Sequence, residues 1–274
     1  MTLHGAPLLY VFFYTAALSR QRELCERILG LPVIENQFHP PHEYHGLVKY
    51  DGGNIILSLN LARESRFQKD ASDGLITVLS VDKTAYVQER LRQHGYTPPQ
   101  ETNGVFTDAY GHHYIFRNAS PSAAEATRHA LPAVQELRLT VGDLSTSIAF
   151  YAGLLGLDPL KRTANQARFA TGTVDLVLQA ARAAPDGRAL RYSTYLIVFY
   201  AENILETREA LVRRGLHFTG TRVGFSDIGG TARFVDPSGH IFCLYEPSQE
   251  SLTWGSGSKV KELIAGCRTA DVRI

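Results

Sequence analysis

Two stretches of the chain repeat one pattern at an offset of 126 residues. LLYVFFYTAALSRQRELCERILGLPV (8–33) and VQELRLTVGDLSTSIAFYAGLLGLDP (134–159) each open with alternating character, which predicts a strand. Each then passes a serine, Ser19 or Ser145, into apolar positions at helical spacing and ends on Leu-Gly-Leu. Gly30 and Gly156 fall where a helix C-terminus needs the left-handed region. A second pair, LITVLSVDKTAYVQERLRQHGY (75–96) and YLIVFYAENILETREALVRRGLHF (195–218), predicts a strand and a helix closing at Gly95 or Gly215. Each is followed by a tight turn and a strand, FTDAYGHHYIFRN (106–118) and FVDPSGHIFCLYEP (234–247). Asp108 matches Asp236, Gly111 matches Gly239 and His112 matches His240.

The chain therefore reads as four strand-helix-strands units in the order A-B-A′-B′. Units A and B fill 1–120, the small and polar segment 121–132 suits a linker, and A′ and B′ fill 133–248. A tail, 249–274, carries a short helix around 258–267. Trp254 in that tail packs either on the body of its own chain or on a second copy, so a homodimer stays open as a partner.

Composition narrows the classes. The length of 274 residues suits two domains, and 44% hydrophobic with 20% charged residues is ordinary for a globular protein. A net charge of +1, with no basic stripe carrying interleaved aromatics, gives nucleic acid no purchase. The apolar run Leu8–Leu18 is about half of what a bilayer span needs, so no membrane partner and no signal peptide is expected. Three distant cysteines form no disulfide framework or CxxC site, and a cytoplasmic protein is the default expectation.

VGDLSTSIAFYAGLLGL together with DPSGHIFCLYEP resembles the vicinal oxygen chelate superfamily, the glyoxalase, bleomycin-resistance and ring-cleaving dioxygenase group. The resemblance covers most of 8–247. It implies an α+β fold of four βαβββ modules making two tandem cup-shaped mixed-sheet domains. It also implies, in metal-using members, inward ligands from the first strand of each paired module and a Glu on the last strand. Carried over residue by residue, those positions are Glu136, Leu196 and Cys243 in a C-terminal cup, and Tyr10, Ile76 and Ile115 in an N-terminal cup. Leu and Ile cannot bind a metal, and one thiol beside one carboxylate is a poor set for Fe, Mn, Ni or Zn. No cofactor is expected. Cys243 reads as a small apolar wall residue, with no cationic neighbour evident to lower its pKa.

Period-two alternation predicts what faces each cup. Tyr10, Phe12 and Tyr14 point inward in A, and His113, Ile115 and Arg117 in B. Glu136 and Arg138 point inward in A′, and Leu196, Val198, Tyr200, Cys243 and Tyr245 in B′. Apolar walls with a few polar anchors are the make-up of a small-molecule site. Glu136 and Arg138, about 7 Å apart on one strand face, either pair with each other or leave Glu136 as a general base. His113 is an acid/base candidate or a structural histidine. His39, His42 and His45 read as solvated loop histidines near a cup mouth.

Three functions compete. The leading one is metal-independent binding of a small aromatic or apolar metabolite, of the resistance or sequestration type. The second is a metal-free cyclase, isomerase or lyase using Glu136 or His113. The third is a metal-dependent dioxygenase or glyoxalase with atypical ligands.

Overall fold

The alternation of the first repeat folds as a strand, and its helical spacing as a helix capped by glycine. The computed structural model describes residues 2–37, 46–62, 74–99, 104–119, 132–181 and 194–270, with side chains through 267. Unit A holds β1 (Leu8–Thr15), α1 (Leu18–Arg22) running on as a π-helical stretch (Glu23–Leu29), β2 (Val33–Asn36), β3 (Leu47–Asp51) and β4 (Ile56–Leu61). Unit B holds β5 (Leu75–Val81), α2 (Thr84–Gln93), β6 (Val105–Thr107) and β7 (His113–Asn118). Unit A′ holds β8 (Ala133–Val141), α3 (Leu144–Ile148) running on as a second π-helical stretch (Ala149–Leu154), β9 (Asp158–Arg162), β10 (Gln166–Ala170) and β11 (Asp175–Ala180). Unit B′ holds β12 (Tyr195–Tyr200), α4 (Ile204–Arg213), β13 (Gly224–Ser226), β14 (Gly229–Val235) and β15 (Ile241–Pro247). The tail forms a 3-10 turn (Ser251–Thr253) and α5 (Gly257–Ala270).

Local chemistry sets the element ends. Gly30 and Gly156 sit at φ of +74° and +75°, the left-handed conformation that lets the chain leave each helix. Asp143 caps α3 by accepting from Thr146 N at 2.8 Å, and Asn203 caps α4 by accepting from Glu206 N at 3.1 Å. In the B′ turn, Asp236 Oδ1 accepts from the backbone N–H of Ser238 and His240 at 2.9 and 2.8 Å. In the B turn, Asp108 Oδ1 accepts in the same way from Tyr110 and His112 at 2.8 and 3.1 Å.

The fold is α+β, with two mixed sheets. One has the order β13-β14-β15-β12-β1-β4-β3-β2, the other β6-β7-β5-β8-β11-β10-β9. In every unit the first strand runs parallel to the last. The sheets are joined at their centres by antiparallel contacts between units, β1 with β12 and β5 with β8.

This strand order corrects the expected membership of the cups. A shares its sheet with B′, and B with A′, so Tyr10 joins Leu196 and Cys243, while Glu136 joins Ile76 and Ile115. The physical cause lies in the helical layer. Gln21 Nε2 donates to Asp108 Oδ2 at 2.5 Å and the Arg20 guanidinium lies 4.4 Å from the Tyr96 ring centre, which holds A to B. Tyr151 OH donates to Asp236 Oδ2 at 2.8 Å, and Phe150 lies 6.4 Å from Phe234, which holds A′ to B′. Neighbours in sequence thus pack through helices, and each leaves its first strand to pair across the halves. One apolar cluster spans both, from Leu8 and Val11 through Leu137 and Leu139 to Phe234 and Phe242.

Candidate functional site: two unlike cups

In the first sheet, β1 sets Tyr10 opposite Val198 and Phe12 opposite Leu196 of β12, and Val198 stands beside Cys243 of β15. With Tyr14 and Tyr245 these side chains line a cavity of about 420 Å³. The Tyr10 and Phe12 rings stack at 5.3 Å, and Tyr245 meets Tyr10 edge-on at 6.1 Å. The Tyr245 hydroxyl donates to Ile228 O at 2.8 Å, which fixes the ring as wall. Polar lining groups come from the two sides of the sheet: Glu35, Lys49 and Asn60 from β2, β3 and β4, and Asp227, Thr231 and Arg233 from the β13–β14 side.

The tail closes this cup. Trp254 and Ser256 line the cavity, and Val260 and Leu263 of α5 pack into the same apolar cluster as Tyr10, Leu196 and Cys243. The closure is latched by a carboxylate: Glu35 Oε2 accepts from Lys49 Nζ at 2.9 Å and from Ser256 N at 3.0 Å. Lys49 Nζ also donates to Ser256 Oγ at 3.0 Å. Burial alone pushes the Glu35 carboxyl up, but Lys49 and the Ser256 donors outweigh it and hold it below the usual carboxylate range. Trp254 packs on its own chain, as one of the two expected placements has it.

Cys243 does have a cationic neighbour. Arg233 faces it in register on β14 and draws its pKa down, yet burial wins and the thiol is pushed up to about 11. Cys243 Sγ donates to Leu244 O at 3.1 Å. The residue is therefore a protonated wall group rather than a thiolate.

The second cup is built differently. Glu136 on β8 is 1% exposed and meets three guanidiniums: Arg117 at 2.9 Å and Arg138 at 2.5 Å on Oε1, and Arg168 at 2.5 Å on Oε2. Arg168 also reaches Asp175 Oδ2 at 2.6 Å. The pairing of Glu136 with Arg138 was one of the two sequence readings, and the geometry adds two further arginines to it. His113 Nδ1 lies 2.8 Å from Thr107 Oγ1, and burial lowers its pKa, so the ring is neutral near pH 7.

Of the residues expected to meet, Tyr10, Phe12, Tyr14, Leu196, Cys243 and Tyr245 share the first cavity. Tyr200 does not line it. It borders a smaller hollow of about 210 Å³ beside Thr2, Glu202 and Cys267. His39, His42 and His45 lie outside the described residues. Sequence reasoning missed Glu35, Lys49, Arg168, Asp175 and Arg233. Alternation along β2, β3, β10, β11 and β14 marks their faces, but it gives no reason to single them out among other charged residues.

Neither donor set suits a divalent metal of the kind the resemblance implies. At the ligand positions the first cup offers Tyr10, Leu196 and a protonated Cys243, and its nearby carboxylate, Glu35, is spent on the latch. The second offers Glu136, whose oxygens are both held by guanidiniums, beside two isoleucines. Among the described residues no three His, Cys, Asp or Glu side chains gather as a metal site.

Two cups of mixed sheet, each with its helices behind it, and one holding an apolar cavity, define an α+β architecture of two mixed-sheet cups. Residues 132–244 match the model of the Glyoxalase/Bleomycin resistance protein/Dioxygenase superfamily. The whole fold is similar to glyoxalase I from Zea mays, at 17% identity and a TM-score of 0.66, covering 95% of this chain and 96% of that one. A point mutant of the same maize enzyme aligns with a TM-score of 0.67 at 17% identity, covering 94% of this chain and 95% of that one. At such identity the likeness is one of fold. No curated protein sequence matches the chain. No helix among the described residues is long and apolar enough to cross a membrane.

Proposed function

We propose that the chain binds a small aromatic or apolar metabolite in the first cup without a metal, as a sequestration-type protein. The observation that carries this reading is the cavity of about 420 Å³ walled by Tyr10, Phe12, Tyr14, Leu196, Val198 and Cys243. That volume lies within the range of small-molecule sites, and its wall places rings and a neutral thiol where metal chemistry needs donors. Arg233 and Lys49, from strands on opposite sides of the sheet, supply polar anchors. Glu136 enters as an organising residue, since both of its oxygens already accept from arginine.

Trp254 is the single tryptophan and lines the cavity, so binding is read by its fluorescence. Titration with a neutral aromatic probe, 2-naphthol, is expected to quench it saturably. Val198→Trp fills the cavity and is expected to weaken the probe at least tenfold, read by calorimetry since the variant adds a second fluorophore. Equal affinity in both proteins sinks the assignment of this cup. Stoichiometric Fe, Mn, Ni or Zn by elemental analysis of protein purified without chelator overturns the metal-free part.

A further inference from the structure

We infer that the second cup is a receptor for a small oxyanion, carboxylate or phosphate, held by Arg117 and Arg168 on a buried Glu136 anchor. Three guanidiniums converge on one carboxylate there, and among the described residues only Arg168 has a second acid, Asp175. Among the described side chains of this cluster, three arginines against Glu136 and Asp175 leave one positive charge. Arg117 and Arg138 share a single oxygen, Oε1, so two like charges stand within a few ångströms of each other. At that spacing the two like charges repel even where the local dielectric is high. An anion bridging the outer edges of the guanidiniums relieves it.

The geometry separates anchor from receptor. Glu136 is 1% exposed, so its own charge is covered by the arginines it holds. Arg117 and Arg168 remain 48% and 35% exposed, and Arg138 is 17% exposed. Each guanidinium carries five N–H donors in a planar fork. Among the described residues, Glu136 and Asp175 take one N–H of Arg117 and two of Arg168, and the other donors of these two forks have no described acid partner. A partly exposed guanidinium fork held on one side by a carboxylate matches the two oxygens of a carboxylate or phosphate. Glu136 is thus a positioning residue. The inference does not depend on what fills the first cup.

The test is calorimetric titration of the whole chain with inorganic phosphate and, separately, with succinate, at about 50 mM NaCl. Saturable binding of either anion is expected, and it weakens as NaCl rises to about 200 mM. Phosphate alone points to a phosphate ligand, and succinate alone to a carboxylate. Arg117→Gln is expected to cost at least about tenfold in affinity. Arg213→Gln, which removes an exposed pair with Glu209 on α4, is expected to leave binding unchanged. Arg168→Gln gives a second reading at the other side of the clamp. Circular dichroism melts confirm that each variant is folded. No saturable heat with either anion overturns the inference, as does equal affinity in wild type, Arg117→Gln and Arg168→Gln.

Discussion

Removing the latch carboxylate should open the first cup. In Glu35→Ala, Lys49 Nζ loses the partner it holds at 2.9 Å, and the backbone N–H of Ser256 loses its acceptor at 3.0 Å. At that distance the Coulomb attraction is about 6 kcal/mol for an effective dielectric of about 20, before desolvation is subtracted. Breaking a fully buried pair costs about 3–5 kcal/mol. The Lys49 side chain is 13% exposed, so water repays part of the loss. The expected cost is about 2–3 kcal/mol, a fall in Tm of about 5–10 °C. The tail should loosen with it, because Ser256 is two residues from Trp254. Trp254 is the single tryptophan, so its emission should shift to the red and its quenching by acrylamide should rise. Glu35→Gln keeps an acceptor oxygen and loses the charge, and should fall between the two. A Glu35→Ala protein that melts within about 1 °C of wild type with unmoved emission would refute the latch.

The same carboxylate sets a pH dependence. A folded pKa below the unfolded value of about 4.3 gives stability that is present above that value and is lost as pH falls through the folded pKa. Wild-type Trp254 emission should therefore shift as acidification passes below the usual carboxylate range, while Glu35→Gln should lack that component. Cys243, with its thiol pushed up to about 11, should resist iodoacetamide in the native protein at pH 7.5 and react after unfolding; fast native labelling, read by peptide mass spectrometry, contradicts the buried-wall reading. Asp236→Ala removes the acceptor for Tyr151 OH and for two turn N–H groups, at about 1 kcal/mol each, so a loss of about 3 kcal/mol is expected in urea unfolding.

Local physics was legible in the residues, and long-range pairing was not. Gly30 and Gly156 revealed two helix ends because positive φ is a property of one residue type at one position. Alternation in β1 put Tyr10, Phe12 and Tyr14 on one face because the side-chain period of a strand is two. Neither property says which other strand lies alongside. The first strands of B and B′ are both apolar, and β1 pairs equally well with either on that evidence. The choice is made behind the sheets, where Gln21 and Arg20 bind A to B and so send β1 to β12. Glu136 shows the same limit at the scale of one side chain. Arg138 was visible as its partner because both lie on one strand face. Arg168 reaches it from 32 positions further on, and Arg117 comes from the other half of the chain. With Arg138 alone, Glu136 keeps a free oxygen and remains a candidate base. With Arg168 on that oxygen, both oxygens are taken and the carboxylate holds three guanidiniums in place.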